Sequence, residues 1–286
     1  RAMLSDPRGT AVAEYIAQKR RISPRFSARF GLGMAPEGWD NLIRAMADKG
    51  YDKADLLEAG LAVSGKSGGI YDKFRNRLML PVIDVRGDVI GFTSRVMDDS
   101  TPKYLNTPET SIFKKRSILY GINYAKNTKR PNFILVEGNI DVISMHQAGF
   151  DNTVATMGTA LTEEHIRLIG RYTKELVVCL DNDAAGEDAT QRALALLKNS
   201  DLEVKVLRLP QRRNEDGTLG KQDPDDYIKR YGGQAFEALM NKSENSVEYR
   251  LGLVQGKYDL DRDDQRSDYL QEAAGVIASL ASPVER

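Results

Sequence analysis

The chain of 286 residues is 41% hydrophobic and 29% charged, which excludes a disordered or fibrous protein and leaves room for about two folded units. Its 41 basic side chains balance 41 acidic ones, so net charge by itself indicates no partner. One cysteine, Cys179, and two histidines, His146 and His165, exclude a disulfide framework and a structural zinc site, pointing to a reducing, cytoplasmic setting and to metal held by carboxylates.

From the N-terminus, apolar periodicity interrupted by Gly and Pro predicts short helices over 11–19, 24–30, 39–49 and 52–59. The period then changes. LMLPVIDV from Leu78 and DVIGFTSRV from Asp88 read as the strands of a hairpin, and Arg86-Gly87-Asp88 is its turn rather than an adhesion signal. A Pro-punctuated loop and a helix over 119–126 lead into alternating elements. Strands are predicted at 133–136, 153–156, 176–180 and 203–209, with helices at 139–147, 162–172 and 186–198, the order of a parallel α/β sheet. Beyond Asp223 the pattern is helical again, and 264–280 reads as one long helix. Even the longest apolar runs, such as LVVCL at 176–180, fall far short of the roughly 20 residues a bilayer helix needs, and the first residues carry no signal-peptide pattern.

Charge is unevenly spread. Residues 66–130 hold thirteen Lys and Arg against six Asp and Glu, the footprint expected of a nucleic-acid surface and equally of a solvated basic face. Acids, in turn, gather at the carboxyl ends of the predicted parallel strands, where open α/β sheets bind ligands. FILVEG ends in Glu137, VVCLDND ends in Asp181 and Asp183, and QDPDD, after the strand VKVLRLP, brings Asp223 and Asp225. Side chains two apart in an extended segment share a side, so Asp181 and Asp183 form a claw. Any one of these acids alone is most simply a helix cap or a loop residue. Together, without His or Cys, they make a hard, oxygen-rich site for magnesium or manganese, and phosphoryl transfer is its natural chemistry.

These motifs carry a resemblance. VEGNIDV, with Glu137 and Asp141, then ATMGTALT, LDNDAAG and a third acidic cluster run in the order of the Toprim domain, shared by bacterial primases, type IA and type II topoisomerases and certain nucleases. The preceding FRNRLMLPVIDVRGDVIGFTSRV and TPKYLNTPETSIFKKRSILYG are similar to the basic subdomain before Toprim in bacterial primases of the DnaG type, and GLGMAPEGWDNL and DLLEAGL extend the likeness over nearly the whole chain. It departs from the family in Asn139, where an aromatic is usual, and in a longer loop over 211–222.

The resemblance implies a mixed α/β (α+β overall) fold: a basic mixed α/β subdomain over 1–130, a Toprim parallel-sheet domain over 131–235 and a helical segment over 236–286. It implies a DNA-dependent RNA polymerase that makes short RNA primers on single-stranded DNA from ribonucleoside triphosphates, releasing pyrophosphate. Glu137, Asp181, Asp183, Asp223 and Asp225 would hold more than one magnesium or manganese ion. Glu137 is either a ligand or the general base for the primer 3′ hydroxyl, and Asp141 supports a ligand or a basic neighbour. Arg20, Arg95, Lys103 and Lys115 would line the nucleotide and template site, with Arg75 and Arg77 as further candidates; apart from the resemblance, Tyr104, next to Lys103, reads equally as an aromatic that stacks on a base and as a core residue. A zinc module and a helicase-binding domain, expected to be missing here, would bring a zinc-binding domain and the replicative helicase as partners in a longer protein at the bacterial replication fork. No zinc is expected in this chain, and no membrane partner. The triphosphate site could also admit phosphorylated guanosine inhibitors.

Other readings are weaker. GLAVSGKS from Gly60 satisfies the P-loop pattern, but that loop needs a buried strand before it and a helix N-terminus after it. DKADLLEA before it is helical and Ser67-Gly68-Gly69-Ile70 after it starts a helix poorly, so it reads as a flexible loop. A Toprim nuclease, a topoisomerase fragment and a degenerate nucleic-acid-binding module are the remaining alternatives. Retention of all five acids argues against the last.

Overall fold

The structure, a computed structural model, describes residues 1–66, 68–213 and 218–278. Helix α1 (Thr10–Glu14) runs into a π-helical turn at Tyr15–Lys19, and α2 (Pro24–Arg29) opens on a proline whose fixed φ suits a first helical position. Strand β1 (Gly33–Ala35) precedes α3 (Asn41–Ala47) and α4 (Lys53–Glu58), the latter opened by a capping box between Asp52 and Asp55. Strands β2 (Ala62–Ser64) and β3 (Ile70–Asp72) pair as an antiparallel hairpin. Strands β4 (Arg77–Ile83), β5 (Val89–Val96) and β6 (Tyr104–Asn106) join β1 in an antiparallel sheet of order β1-β4-β5-β6.

Between β4 and β5 the expected turn is present. Asp84 Oδ1 accepts the backbone N–H groups of Arg86, Gly87 and Asp88 at 2.8, 3.0 and 3.0 Å, and Gly87 takes a φ of 101°. Helix α5 (Ile122–Ala125) is shorter than the helix predicted over 119–126. Tyr120 is instead extended against Ala155, exchanging two backbone hydrogen bonds with it, and Gly121 at φ 84° turns the chain into the helix.

The alternating region follows: β7 (Asn132–Val136), α6 (Asn139–Gln147), β8 (Thr153–Ala155), α7 (Glu163–Ile169), β9 (Glu175–Val178), α8 (Ala184–Leu197) and β10 (Glu203–Val206). A short pair, β11 (Arg212–Arg213) and β12 (Leu219–Gly220), leads to α9 (Pro224–Met240), β13 (Glu244–Asn245), α10 (Ser246–Gln255) and α11 (Asp263–Ala278). Of the long helix predicted over 264–280, Ser279 and Leu280 lie outside the described residues, as does Ser67 of the P-loop pattern. Among the described residues no helix is long and apolar enough to cross a membrane.

The second sheet has the order β13-β10-β9-β7-β8, parallel from β10 to β8 with β13 added antiparallel. β10 ends at Val206, short of the predicted 209, because Leu207 makes the last backbone bond to the β9 edge and the chain then turns to the Asn182 side chain. Both faces of the sheet are covered, which is why its strands read as continuous apolar runs. Strand alternation sorts them: Ile134, Val136, Val177 and Cys179 face the core shared with α6 and Phe236, while Phe133, Leu135, Leu176 and Val178 face the core with Ile166, Ile169 and Leu197. The first core also contains Val12, Tyr15, Leu78 and Leu80, so the antiparallel and parallel sheets are locked by one continuous apolar interior. That interior sets the distance between the basic subdomain and the acidic strand ends.

Candidate active site

β7 and β9 are neighbours in the sheet, so the segments that leave their carboxyl ends emerge side by side. Glu137 follows the first and Asp181 the second, and the Asp181 backbone N–H donates to Glu137 Oε1 at 3.2 Å. Asp183 is the N-cap of α8, where its Oδ1 accepts the Gly186 N–H at 2.8 Å. Its other oxygen is left to the site. The Lys221 ammonium stands between the two acids, 2.6 Å from Asp181 Oδ2 and 2.7 Å from Asp183 Oδ2. Both carboxylates thus face one point, as the alternation of an extended segment predicts. Contact with Lys221 holds the Asp183 carboxyl below its usual range, and contact with Asp181 raises the lysine in return. Gly186 makes the approach possible, because a Cβ there would lie 2.1 Å from the Asp181 carbonyl oxygen.

A second group of carboxylates lies beside this one. Asp141 on α6, Asp223 at the N-cap of α9 and Asp225 in its first turn each place an oxygen within 4.8 Å of the others. Asp225 is fully buried. It accepts from Arg20 Nη1 at 2.6 Å, from Lys229 Nζ at 2.5 Å and from the Ser144 hydroxyl. Asp141 accepts the Gly138 N–H at 3.0 Å. Burial drives the Asp141 carboxyl well above the usual range, with repulsion from Asp223 and Asp225 adding to it. Burial raises Asp223 as well, and it raises Glu137 with help from the adjacent Asp181 charge. Asp141 is therefore a member of the acidic cluster itself and not only a support behind it.

The donor set suits a hard divalent cation. It is all oxygen, an ammonium already occupies a point between two carboxylates, and Asp181 Oδ1 is buried with no hydrogen-bond partner. The Gln222 side-chain amide, next in sequence to Lys221, is likewise buried without a partner.

Of the nucleotide- and template-site candidates, Arg20 reaches these acids, and Arg95 and Tyr104 gather beside it around the Tyr15 ring and the β5–β6 ladder. Arg20 is committed to Asp225 and to the Tyr15 hydroxyl, 2.6 Å from its Nε. Arg95 lies with its guanidinium 4.7 Å from the Tyr15 ring centroid. Tyr104 pairs directly across from Arg95 in the β5–β6 ladder, and its hydroxyl sits in the field of Arg20, Arg95 and Asp141 while its ring remains partly exposed. Lys103 precedes this pair and is exposed. The other candidates stand elsewhere. Arg75 donates to the Asp72 carbonyl and lies 4.3 Å from the Trp39 ring centroid. Arg77 is buried and clamps the Pro102 carbonyl through both terminal nitrogens at 3.0 Å. Lys115 approaches Lys73, whose pKa is lowered by burial and then by that neighbour, and its carbonyl faces His165 Nε2 at 2.9 Å.

Several partners are not singled out by the sequence patterns. Lys229 and Ser144 could have been found, since each lies one helical turn from an acid, at i+4 from Asp225 and i+3 from Asp141. Lys221 and Tyr15 offer no such spacing. The P-loop pattern resolves as the β2–β3 hairpin: Gly65 donates its N–H to the Gly69 carbonyl at 2.6 Å, and the chain continues into β3 rather than a helix. Backbone amides and a helix dipole are therefore not assembled there for phosphate.

Comparison with known proteins agrees with this architecture. Three family descriptions match in order: "DNA primase catalytic core, N-terminal domain" over 1–126, "Toprim-like" over 134–228 and "DnaB-helicase binding domain of primase" over 247–286. The third corrects the expectation that the helicase-binding part is missing, for α11 and most of α10 fall within it. That segment carries no chemical motif, only helical pattern, which is why the residues alone do not reveal it. A DNA primase of Clostridium acetobutylicum is 41% identical over 268 residues, covering 93% of this chain and 43% of the relative. The chain spans less than half the length of the curated relatives it matches. A structure of the DnaG primase catalytic domain bound to single-stranded DNA is 34% identical, with a TM-score of 0.81 over 99% of this chain and 87% of the other. A DNA primase domain from Pseudomonas aeruginosa, also 34% identical, superposes with a TM-score of 0.84 over 99% of this chain and 88% of its own. Since the likeness extends over 99% of this chain and most of the solved primase domains, this chain belongs to the DnaG primase family and corresponds to its catalytic core.

Proposed function

We propose that this chain builds short RNA primers on single-stranded DNA, joining ribonucleoside triphosphates with release of pyrophosphate. The observation that carries the reading is the meeting of two surfaces: carboxylates at the carboxyl edge of the parallel sheet and the Arg20, Arg95 and Tyr104 group from the N-terminal subdomain. Asp181, Asp183, Asp223 and Asp225 hold magnesium or manganese, which when bound neutralises the triphosphate and activates the attacking hydroxyl.

The protein's own groups do the rest. Glu137, made more basic by burial beside Asp181, takes the proton of the primer 3′ hydroxyl as that oxygen attacks the α-phosphorus. Arg95 and Lys103 contact phosphates without reading bases, and Tyr104 offers a ring face to a template base. Arg20 holds Asp225 in place and sets the spacing between the two surfaces. Residues 247–286, matched to the helicase-binding description, dock a DnaB-type helicase.

The test is primer synthesis on single-stranded DNA with labelled ribonucleotides and magnesium or manganese, comparing the chain with Asp181→Ala and following free phosphate in parallel. Short RNA that disappears in the variant supports the reading. Metal-dependent phosphate release without RNA would overturn it in favour of nucleotide hydrolysis.

A further inference from the structure

We propose that Lys221 is an exchangeable internal cation, which fills the place between Asp181 and Asp183 and is displaced when a divalent ion binds there. The inference rests on the metal-site reading above, and extends it to a residue that reading does not use.

The site contains cations of two kinds. Arg20 and Lys229 are locked to Asp225: their side chains are 18% and 16% exposed, and the carboxylate between them is 0% exposed. Moving either away would take one of the two cations from a fully buried carboxylate. Lys221 differs. Its side chain is 51% exposed and belongs to the short connector between β12 and α9, so its ammonium already borders water and can swing into it without crossing a packed interior. Among the described residues its ammonium has no ion-pair partner other than Asp181 and Asp183.

The lysine also leaves the site incompletely satisfied. It contacts one oxygen of each carboxylate at 2.6 and 2.7 Å, while Asp181 Oδ1 stays buried and unpartnered. A single positive charge with three donors cannot meet the needs of two carboxylates and an adjacent Glu137. A divalent ion carries twice the charge and takes six or more oxygens, so it outcompetes the lysine once its concentration is sufficient. Before then Lys221 keeps the two acids from repelling one another. The metal-free chain is thereby stabilised, at the cost of weaker metal binding.

Removing the lysine should therefore move two readouts in opposite directions. In Lys221→Met the apparent affinity for Mn2+, followed by loss of the free-ion paramagnetic resonance signal, should tighten by about fivefold, whereas Lys221→Arg should stay within about twofold of the parent. The melting temperature without metal should fall in Lys221→Met, and the rise produced by saturating Mn2+ should grow. Lys221→Gln serves as a second removal in case the methionine variant misfolds, with circular dichroism as the check. Unchanged or weaker Mn2+ binding in the folded removal variants would overturn the exchange. Asp181→Asn separates the two ideas: if it does not weaken Mn2+ binding in the parent, the metal-site reading itself fails.

Discussion

Arg20 and Asp225 lie 205 residues apart in the chain and meet at 2.6 Å. One closes the π-helical turn of the N-terminal subdomain and the other sits in the first turn of α9, so the pair ties the basic subdomain to the acidic sheet edge. Asp225 is fully buried and also receives Lys229 and Ser144. Asp225→Asn would leave Arg20 and Lys229 facing each other without the carboxylate that bridges them, and is expected to cost about 3–5 kcal/mol in urea unfolding. A loss under about 1 kcal/mol would show that water reaches the pair and that it does not hold the two parts together.

The backbone of Asp181 depends on a missing side chain. A Cβ at Gly186 would press against the Asp181 carbonyl oxygen from 2.1 Å, and a backbone oxygen cannot yield without moving the loop. Gly186→Ala is expected to weaken Mn2+ binding at least about tenfold, equal to a 1.4 kcal/mol change, although every ligand is retained. Binding unchanged in a titration would mean that the loop relaxes elsewhere.

Two arginines on the neighbouring strands β4 and β5 should answer mutation differently. Arg95→Ala is expected to weaken single-stranded DNA binding and to lower the slope of log affinity against log salt by roughly 0.7, the value for one phosphate contact on a single strand. Arg77→Ala should instead lower stability by about 1–3 kcal/mol, because Arg77 is buried and holds the Pro102 carbonyl. Fluorescence anisotropy across a salt series, together with urea unfolding of both variants, decides the assignment.

Acid should loosen the metal. Glu137, Asp141 and Asp223 are all held above the usual carboxylate range, chiefly by burial, so protons compete for them at a higher pH than for exposed acids. Mn2+ affinity is expected to fall as pH drops through that raised range. An affinity independent of pH down to the ordinary carboxylate range would exclude Asp223 as a ligand and show that the charges of Asp141 and Glu137 are not felt by the metal.

His146 supplies a pH prediction for the stability of the fold rather than for the metal. Its Nε2–H donates to the Thr153 carbonyl at 2.9 Å, its Nδ1 is buried without a partner, and burial lowers its pKa from 6.5 to about 4. The unfolded chain takes up a proton as pH falls through 6.5 while the folded one does not, so stability is lost in the window from 6.5 down to about 4. Between about pH 7 and about pH 5 this amounts to about 2 kcal/mol. His146→Gln should lose less than the parent by that amount in urea unfolding, and shared carboxylate effects cancel in the difference. Equal losses would show that the ring is already protonated or hydrated in the folded chain.

Local pattern alone determined the parallel α/β order, the β4–β5 hairpin with its turn at Arg86-Gly87-Asp88, and the placement of Glu137, Asp181 and Asp183 at strand ends. These are consequences of period, turn chemistry and the rule that strand termini bind ligands, all readable over a few residues. The short strands β1, β6 and β13 were not readable in the same way, since three or two residues carry no period and form only because a neighbouring edge accepts them. The same limit applies to the site. That Lys221 would stand between two acids, that Arg20 would be consumed by Asp225, and that Arg77 would clamp a carbonyl while Arg95 faced the site were decided by the tertiary structure. The physical reason is that a charged side chain acquires its role from whichever opposite charge the folded core brings within reach, and sequence distance says nothing about that.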